Sequence, residues 1–354
     1  MIVIGAGPAG STTARYAARR GLSVLMIERR STVGVPVQCG EYVAHNSEVE
    51  TIYPGVSGLE DLMKAAYAAK YIDTRLIRII SPRGRKFELR FDGFTISRSS
   101  MDQMIAAQAV EEGAELMTGV NALDVKGNKV FTTRGVHEGK VIVGADGPFS
   151  RVARSVGLEW PVSAPAMSAT VKGSFADVTE MYFGDIAPGG YAWIIPKGAT
   201  ANVGVGVWPR FKGNLDVPFR AFLKKLNLTG VRGTGGYVPI MGPVPATVRG
   251  NALLVGDAAG HVMPTNGGGI NTGMICGRIA GNCIADHLGK GAALTEYETK
   301  WRSVVSKALR NGRRTRIMGN LFFGGEGRLE QAMRFLGPKR MARAIRCQRL
   351  FLAR

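Results

Sequence analysis

The chain has 354 residues, 46 of them Lys or Arg against 27 Asp or Glu, a net charge of +19. Its hydrophobic content of 45% is ordinary for a globular protein, and its length allows two domains. No uncharged apolar run of roughly 18 residues is present, which excludes a membrane span read from hydropathy, and the chain opens on a strand rather than a signal segment, which predicts a cytoplasmic protein.

Met1-Ile-Val-Ile4 is a short apolar run suited to a buried parallel strand. It leads into Gly5-Ala-Gly7-Pro-Ala-Gly10. Gly5 permits a tight turn, Gly7 lets the backbone approach a pyrophosphate, and Gly10 lets the next helix pack closely on the strand. That helix is expected over residues 11–20, with Gly21 at its C-cap and a strand over 22–27. Glu28 follows, 18 residues after Gly10. A carboxylate there accepts hydrogen bonds from an adenosine ribose and repels a 2′-phosphate, so the site prefers FAD or NAD to NADP.

Leu76–Ser81 and Lys86–Phe91, joined by Pro82-Arg-Gly84-Arg85, read as a hairpin. Ile96-Ser-Arg98 leads into a helix ending near Glu112, and Arg98 either reaches a phosphate or flavin or lies on the surface beside a helix cap. Val141-Ile-Val-Gly144-Ala-Asp146-Gly147 is a strand ending in Asp-Gly. Residues 168–175, 179–183, 190–196 and 201–208 have strand composition, and 217–226 reads as a helix. A second glycine-rich segment follows the strand over 251–255: Gly256-Asp257-Ala-Ala-Gly260, then Gly267-Gly268-Gly269-Ile270 at the start of an apolar helix. Asp257 is placed to accept from a ribityl hydroxyl, and the helix start to face an electron-rich flavin edge. Two such segments together point to FAD held at both ends.

The four cysteines, Cys39, Cys276, Cys283 and Cys347, lack zinc or iron–sulfur spacing and read as free thiols. His261, beside the second glycine segment, reads as structural, and no Ser/His/Asp set, metal cluster or carboxylate pair is apparent. Residues 301–354 hold fourteen Lys or Arg against Glu326 and Glu330, a net +12, so most of the excess charge is there. Few aromatics interleave with it, which argues against nucleic acid. Over 339–352, Met341, Ala344, Ile345, Phe351 and Leu352 share one helical face and Lys339, Arg340, Arg343, Arg346 and Arg349 the other. That pattern fits either a helix at an anionic membrane surface or a surface helix packed on the protein.

The ordered set of motifs resembles the FAD flavoproteins typified by p-hydroxybenzoate hydroxylase. Within that superfamily, Cys39-Gly40-Glu41 and Pro188-Gly-Gly-Tyr191-Ala-Trp193-Ile-Ile-Pro196, with Asn202 after them, resemble the geranylgeranyl reductase family, Ile195 replacing its usual Phe. The likeness covers residues 1–290 and is nearest to the archaeal digeranylgeranylglycerophospholipid reductases. It implies FAD contacts at Cys39, Gly40, Arg98, Ala122, Asp146, Gly256, Asp257, Gly268, Gly269 and Ile270 beside Gly5, Gly7, Gly10 and Glu28. It also implies an isoprenoid chain against Pro188, Tyr191 and Trp193, with Cys39 a candidate proton donor.

The resulting expectation is an α/β protein. A discontinuous Rossmann-like FAD-binding domain uses residues 1–50, 97–155 and 247–290. An inserted antiparallel-sheet substrate domain uses 51–96 and 156–246, and residues 291–354 form a basic, mostly helical region. The activity implied is saturation of geranylgeranyl C=C bonds by reduced flavin, with electrons from a ferredoxin-like protein or NAD(P)H. The competing readings are a monooxygenase of the same superfamily and an electron-transferring flavoprotein that docks to an acidic partner.

Overall fold

The computed structural model describes residues 1–209 and 213–351. Strands Ala252–Leu254, Ile142–Gly144, Ile2–Ile4, Leu25–Glu28 and Glu115–Thr118 lie side by side in that order, all parallel, with Val248–Arg249 antiparallel at one edge. Their apolar side chains are nearly all buried, as expected where helices cover both faces of a parallel sheet. The chain passes from Ile2–Ile4 to Leu25–Glu28 on one side and later returns to Ile142–Gly144 on the other. Strand order reverses there, and a crevice opens at the carboxyl ends of the strands.

Helix Pro8–Ala18 starts earlier than residue 11, with Gly7 as its N-cap and Pro8 at its first position, where a missing N–H costs nothing. The second strand is Leu25–Glu28 rather than 22–27, so Glu28 is its last residue. Helix Ile270–Lys290 packs along Pro8–Ala18.

The second sheet has eight strands in the order Thr234–Pro239, Ser163–Lys172, Thr200–Gly206, Tyr191–Pro196, Thr179–Tyr182, Lys70–Ile80, Lys86–Ile96 and Tyr42–Ala44. It is antiparallel except where Thr179–Tyr182 runs parallel to Lys70–Ile80. The expected hairpin is longer than its apolar core. Two strands had no counterpart in the sequence reading. Thr234–Pro239 carries Gly235 and Gly236, which hide its pattern, and Tyr42–Ala44 is too short to show a period. Tyr42–Ala44 lies within the 1–50 block but pairs with Lys86–Ile96 of this sheet. A three-stranded meander, Ala122–Lys126, Lys129–Thr132 and Gly135–Glu138, also went unforeseen.

Helices Glu296–Asn320 and Glu326–Ile345 complete the chain, the latter broken at Gly337 (φ 60°) before Pro338. Met341 and Ile345 of the stripe over 339–352 pack on the protein rather than facing outward as a lipid-binding face would, while Phe351 is exposed. Met341 and Ile345 are in the core, Cys347 is buried, and Arg346 ion-pairs with Glu48 at 2.5 Å. Leu352 lies outside the described residues. A cluster of exposed apolar side chains sits at the end of the preceding helix and its turn, Ile317, Met318, Leu321 and Phe322, with Leu321 71% exposed; Phe335 and Phe351 are also exposed. No helix among the described residues is long and apolar enough to cross a membrane.

Candidate active site

The crevice at the strand ends is a cleft of about 910 Å³, lined by Gly5, Gly7, Glu28, Arg98, Ala122, Asp146 and Asp257 among others. Gly5, Glu28, Asp146 and Asp257 lie at or just beyond the ends of four adjacent parallel strands, so the sheet brings together residues up to 250 positions apart. Gly5 has φ +100°, and a Cβ there would stand 2.3 Å from the Ala145 carbonyl oxygen; one on Gly10 would stand 1.9 Å from the Gly5 oxygen. Gly10 is therefore a packing residue behind the cleft. A Cβ on Gly7 would meet nothing within 4 Å, so the space over this turn is open to a ligand.

Glu28 is held ready as an acceptor. Its carboxylate takes hydrogen bonds from the Ala6 and Arg30 amides, both at 2.9 Å. Asp146 Oδ2 accepts from the Arg151 and Val152 amides at the start of helix Arg151–Val156, while Oδ1 is buried without a partner. Burial raises its pKa. Burial likewise pushes the Asp257 carboxyl up to about 6, and one of its oxygens lies 3.3 Å from where a Cβ on Gly269 would be. An open glycine turn, a pinned acid, an orphaned carboxylate oxygen and a helix start fit the two ends of a dinucleotide. Arg98 is not a surface residue. Its Nε donates to Asp102 at 2.7 Å; although burial opposes its charge, the Asp102 carboxylate beside it holds its pKa above the ordinary value.

A second, apolar cavity of about 230 Å³ lies against the eight-stranded sheet, lined by Tyr191, Trp193, Ile195, Phe91, Met181, Gly268, Gly269 and Ile270 among others. Tyr191 and Trp193, two residues apart on one strand, point to the same side, their ring centroids 5.9 Å apart. Each polar tip is occupied: Tyr191 OH donates to the Asn266 carbonyl at 2.5 Å and Trp193 Nε1 to Asn202 Oδ1 at 2.8 Å. Cys39, Gly40 and Trp193 line both cavities. The polar cleft and the apolar cavity therefore meet at the Cys-Gly-Glu segment.

That segment is fixed by residues the sequence did not single out for a role. Glu41 adopts φ 62° and is buried; its carboxylate pairs with Lys197 at 2.6 Å and accepts from the Arg98 amide at 3.1 Å. Asn202 Nδ2 donates to the Cys39 carbonyl at 2.9 Å. The adjacency of Glu41 to Cys39 and of Lys197 to the Tyr191–Pro196 strand was the available signal, but nothing in the sequence pairs positions 156 residues apart. Pro188 lines neither cavity and its carbonyl accepts from the Trp208 amide, and Gly256 packs against Ala9. His261 is wholly buried against Trp301 (centroids 4.7 Å), away from both cavities.

A parallel sheet carrying two glycine-rich ends at one switch point, joined to an apolar cavity on a second sheet, defines an FAD-dependent flavoprotein oxidoreductase. Residues 165–230 match the geranylgeranyl reductase catalytic domain, 3–55 an NAD(P)-binding Rossmann-like domain and 245–312 an FAD binding domain. The chain is 31% identical to digeranylgeranylglycerophospholipid reductase of Methanococcus vannielii and 34% to digeranylgeranylglycerophospholipid reductase 2 of Methanopyrus kandleri, each time over 88% of this chain and 84% of the relative. A solved geranylgeranyl bacteriochlorophyll reductase-like protein from Thermoplasma acidophilum superposes with a TM-score of 0.80 at 26% identity, covering 93% of this chain and 89% of that one. A flavin-dependent brominase, Bmp2, shares the fold at 21% identity and TM-score 0.67. The chain belongs to the geranylgeranyl reductase family, and its cofactor is FAD.

Proposed function

We propose that this enzyme saturates C=C bonds in the geranylgeranyl chains of ether-lipid precursors. The observation that carries the reading is the junction of the two cavities at Cys39, Gly40 and Trp193, which lets an apolar chain in one approach a flavin in the other. In this reading the FAD-binding domain uses residues 1–50, 97–155 and 247–290, with 51–96 and 156–246 as the substrate domain, and Tyr42–Ala44 is the point where the two interlock.

The residues proposed to hold FAD are Gly5, Gly7, Glu28, Arg98, Ala122, Asp146 and Asp257 in the polar cleft, Cys39 and Gly40 at the junction, and Gly268, Gly269 and Ile270, which line the apolar cavity, at the flavin end, with Gly10 and Gly256 shaping the turns behind them. Reduced FAD, when bound, supplies the hydride, and an isolated alkene, lacking a carbonyl to polarise, requires no oxyanion hole. The protein's part is to hold the chain, exclude water and place a proton. Tyr191 and Trp193 wall the chain. Cys39 is the proposed proton donor: its sulfur accepts from the Glu41 amide at 3.2 Å, and that N–H stabilises the negative charge left on the sulfur. Anaerobic incubation of the reduced enzyme with digeranylgeranylglyceryl phosphate, followed by mass spectrometry, tests the reading. A gain of one H2 per double bond supports it, and an unchanged mass overturns it.

We further propose that the enzyme works at an anionic membrane surface, with Ile317, Met318, Leu321 and Phe322 as the entering tip and Arg310, Arg313 and Arg314, exposed on the same helix, meeting the lipid charge. Leu321→Glu is expected to lower co-sedimentation with anionic vesicles, and unchanged binding would exclude the tip. The electron donor is proposed to be a ferredoxin-like protein or NAD(P)H.

A further inference from the structure

Arg316 is an anomaly within the apolar cavity. Its side chain is partly buried and lines that cavity but not the cofactor cleft. Nη2 donates to the Gly189 carbonyl at 2.6 Å, the guanidinium lies 4.9 Å from the Trp208 ring centroid and 5.4 Å from that of Phe323, and Nε is buried without a partner. Among the described residues no carboxylate pairs with it, and the one acidic residue lining the cavity, Glu41, is taken by Lys197. Burial lowers its pKa to about 10, which leaves it protonated at neutral pH. A buried cation without a counter-ion is costly, and an anion that completes it recovers that cost.

The position of this charge is as informative as its isolation. A line of rings runs from the cavity junction outward: Trp193 to Tyr191 (5.9 Å), Tyr191 to Phe183 (5.8 Å), Phe183 to Phe323 (6.4 Å), and Phe323 to the Arg316 guanidinium. Phe183 and Phe323 lie behind the cavity lining, and Arg316 itself lines the cavity with Gly190 and Tyr191 but, unlike Cys39, does not line the cofactor cleft. The next two residues, Ile317 and Met318, are exposed. An occupant that satisfies the whole cavity has an apolar chain that reaches the cofactor cleft at Cys39 and an anionic group at Arg316, which faces the apolar cavity alone.

We propose that Arg316 receives the phosphate head of the lipid substrate, so that the distance from head to double bond selects which bond reaches the flavin. This inference rests on the reductase reading for its substrate class. A guanidinium suits a phosphate through paired N–H donors in a way an ammonium does not. The alternative role for Arg316 is structural, through its bond to Gly189.

The test compares wild type, Arg316→Gln and Arg316→Lys for KM on the phosphorylated lipid and on the phosphate-free lipid with the same chains. The expected result is a preference of about tenfold or more for the phosphorylated lipid in wild type, lost in Arg316→Gln and partly restored in Arg316→Lys. An Arg316→Gln variant that raises both KM values equally overturns the proposal in favour of the structural role, and so does one that keeps the preference. Binding of the fully saturated phosphorylated lipid, followed by tryptophan quenching, gives the same comparison without turnover. A wild type that binds it with the head-dependent preference but reduces nothing would sink the reductase reading alone. Inorganic phosphate is the last arm. Competition at concentrations near the lipid's KM would make Arg316 a free-phosphate site and overturn the lipid-head assignment.

Discussion

Trp193 and Gly204 face each other on adjacent strands, and a Cβ on Gly204 would stand 2.3 Å from the indole. The indole lies flat over the neighbouring strand because that strand offers no side chain at this point. Its position fixes both the wall of the apolar cavity and the hydrogen bond to Asn202. Gly204→Val is expected to displace the ring, raising KM for the lipid about tenfold or more while the purified protein keeps its full complement of FAD. Steady-state kinetics alongside flavin content checks this, and an unchanged KM would separate the ring from the substrate.

Glu41 precedes strand Tyr42–Ala44 and Lys197 follows strand Tyr191–Pro196, and both side chains of the pair are less than a tenth exposed. Removing one partner leaves a buried charge alone. Lys197→Met is expected to lose about 3–5 kcal/mol of stability. The double variant Lys197→Met/Glu41→Gln should recover much of that loss, because no charge is then stranded. Chemical denaturation of wild type, Lys197→Met, Glu41→Gln and the double variant measures the coupling, and simple addition of the two single effects would show that the pair is not coupled.

Cys39 occupies the junction of the two cavities. If its thiol delivers the proton, Cys39→Ala slows lipid-driven flavin reoxidation by about a hundredfold or more, the usual scale of general-acid catalysis. Anaerobic stopped-flow absorbance reads the rate, and a rate equal to wild type would reduce Cys39 to a packing role.

His261 gives a pH signature. Burial, with a smaller contribution from Arg302, lowers its pKa from 6.5 to about 3, so the folded protein keeps the ring neutral where the unfolded chain protonates it. As pH falls below 6.5 the unfolded state binds the extra proton, and stability is lost from there down toward 3. Both ring nitrogens lack partners and the ring packs tilted against Trp301, so phenylalanine fits the site. His261→Phe is expected to avoid about 2 kcal/mol of the stability wild type loses between pH 6.5 and pH 5. Parallel acid limbs in the two denaturation profiles would refute this.

The strand–turn–helix–strand at residues 2–28 was legible in the sequence because its signals are local. Gly5, Gly7, Gly10 and Glu28 lie within one βαβ unit, and each has a backbone reason for its identity. Tyr191 and Trp193 were legible too, since alternation along a strand fixes which side chains share a face. Glu41, Lys197 and Asn202 were not legible as a network, because a buried ion pair across 156 residues leaves no periodic trace and the positive φ at Glu41 has no glycine to announce it. The stripe over residues 339–352 was visible, but amphipathicity reports only that one face avoids water. Tertiary packing decided that the face meets this protein's own core, as Met341 and Ile345 show. Arg316 was hidden for the opposite reason: within a strongly basic segment, sequence gives no sign of which arginine turns inward.

The most direct test of the central claim is anaerobic flavin reoxidation. The enzyme is reduced with dithionite, excess reductant is removed, and digeranylgeranylglyceryl phosphate is added with oxygen excluded. The account predicts that the oxidised flavin spectrum returns at a rate that depends on lipid concentration, and that Trp193→Ala weakens that dependence. A flavin that stays reduced under lipid and reoxidises only when air is admitted would contradict it.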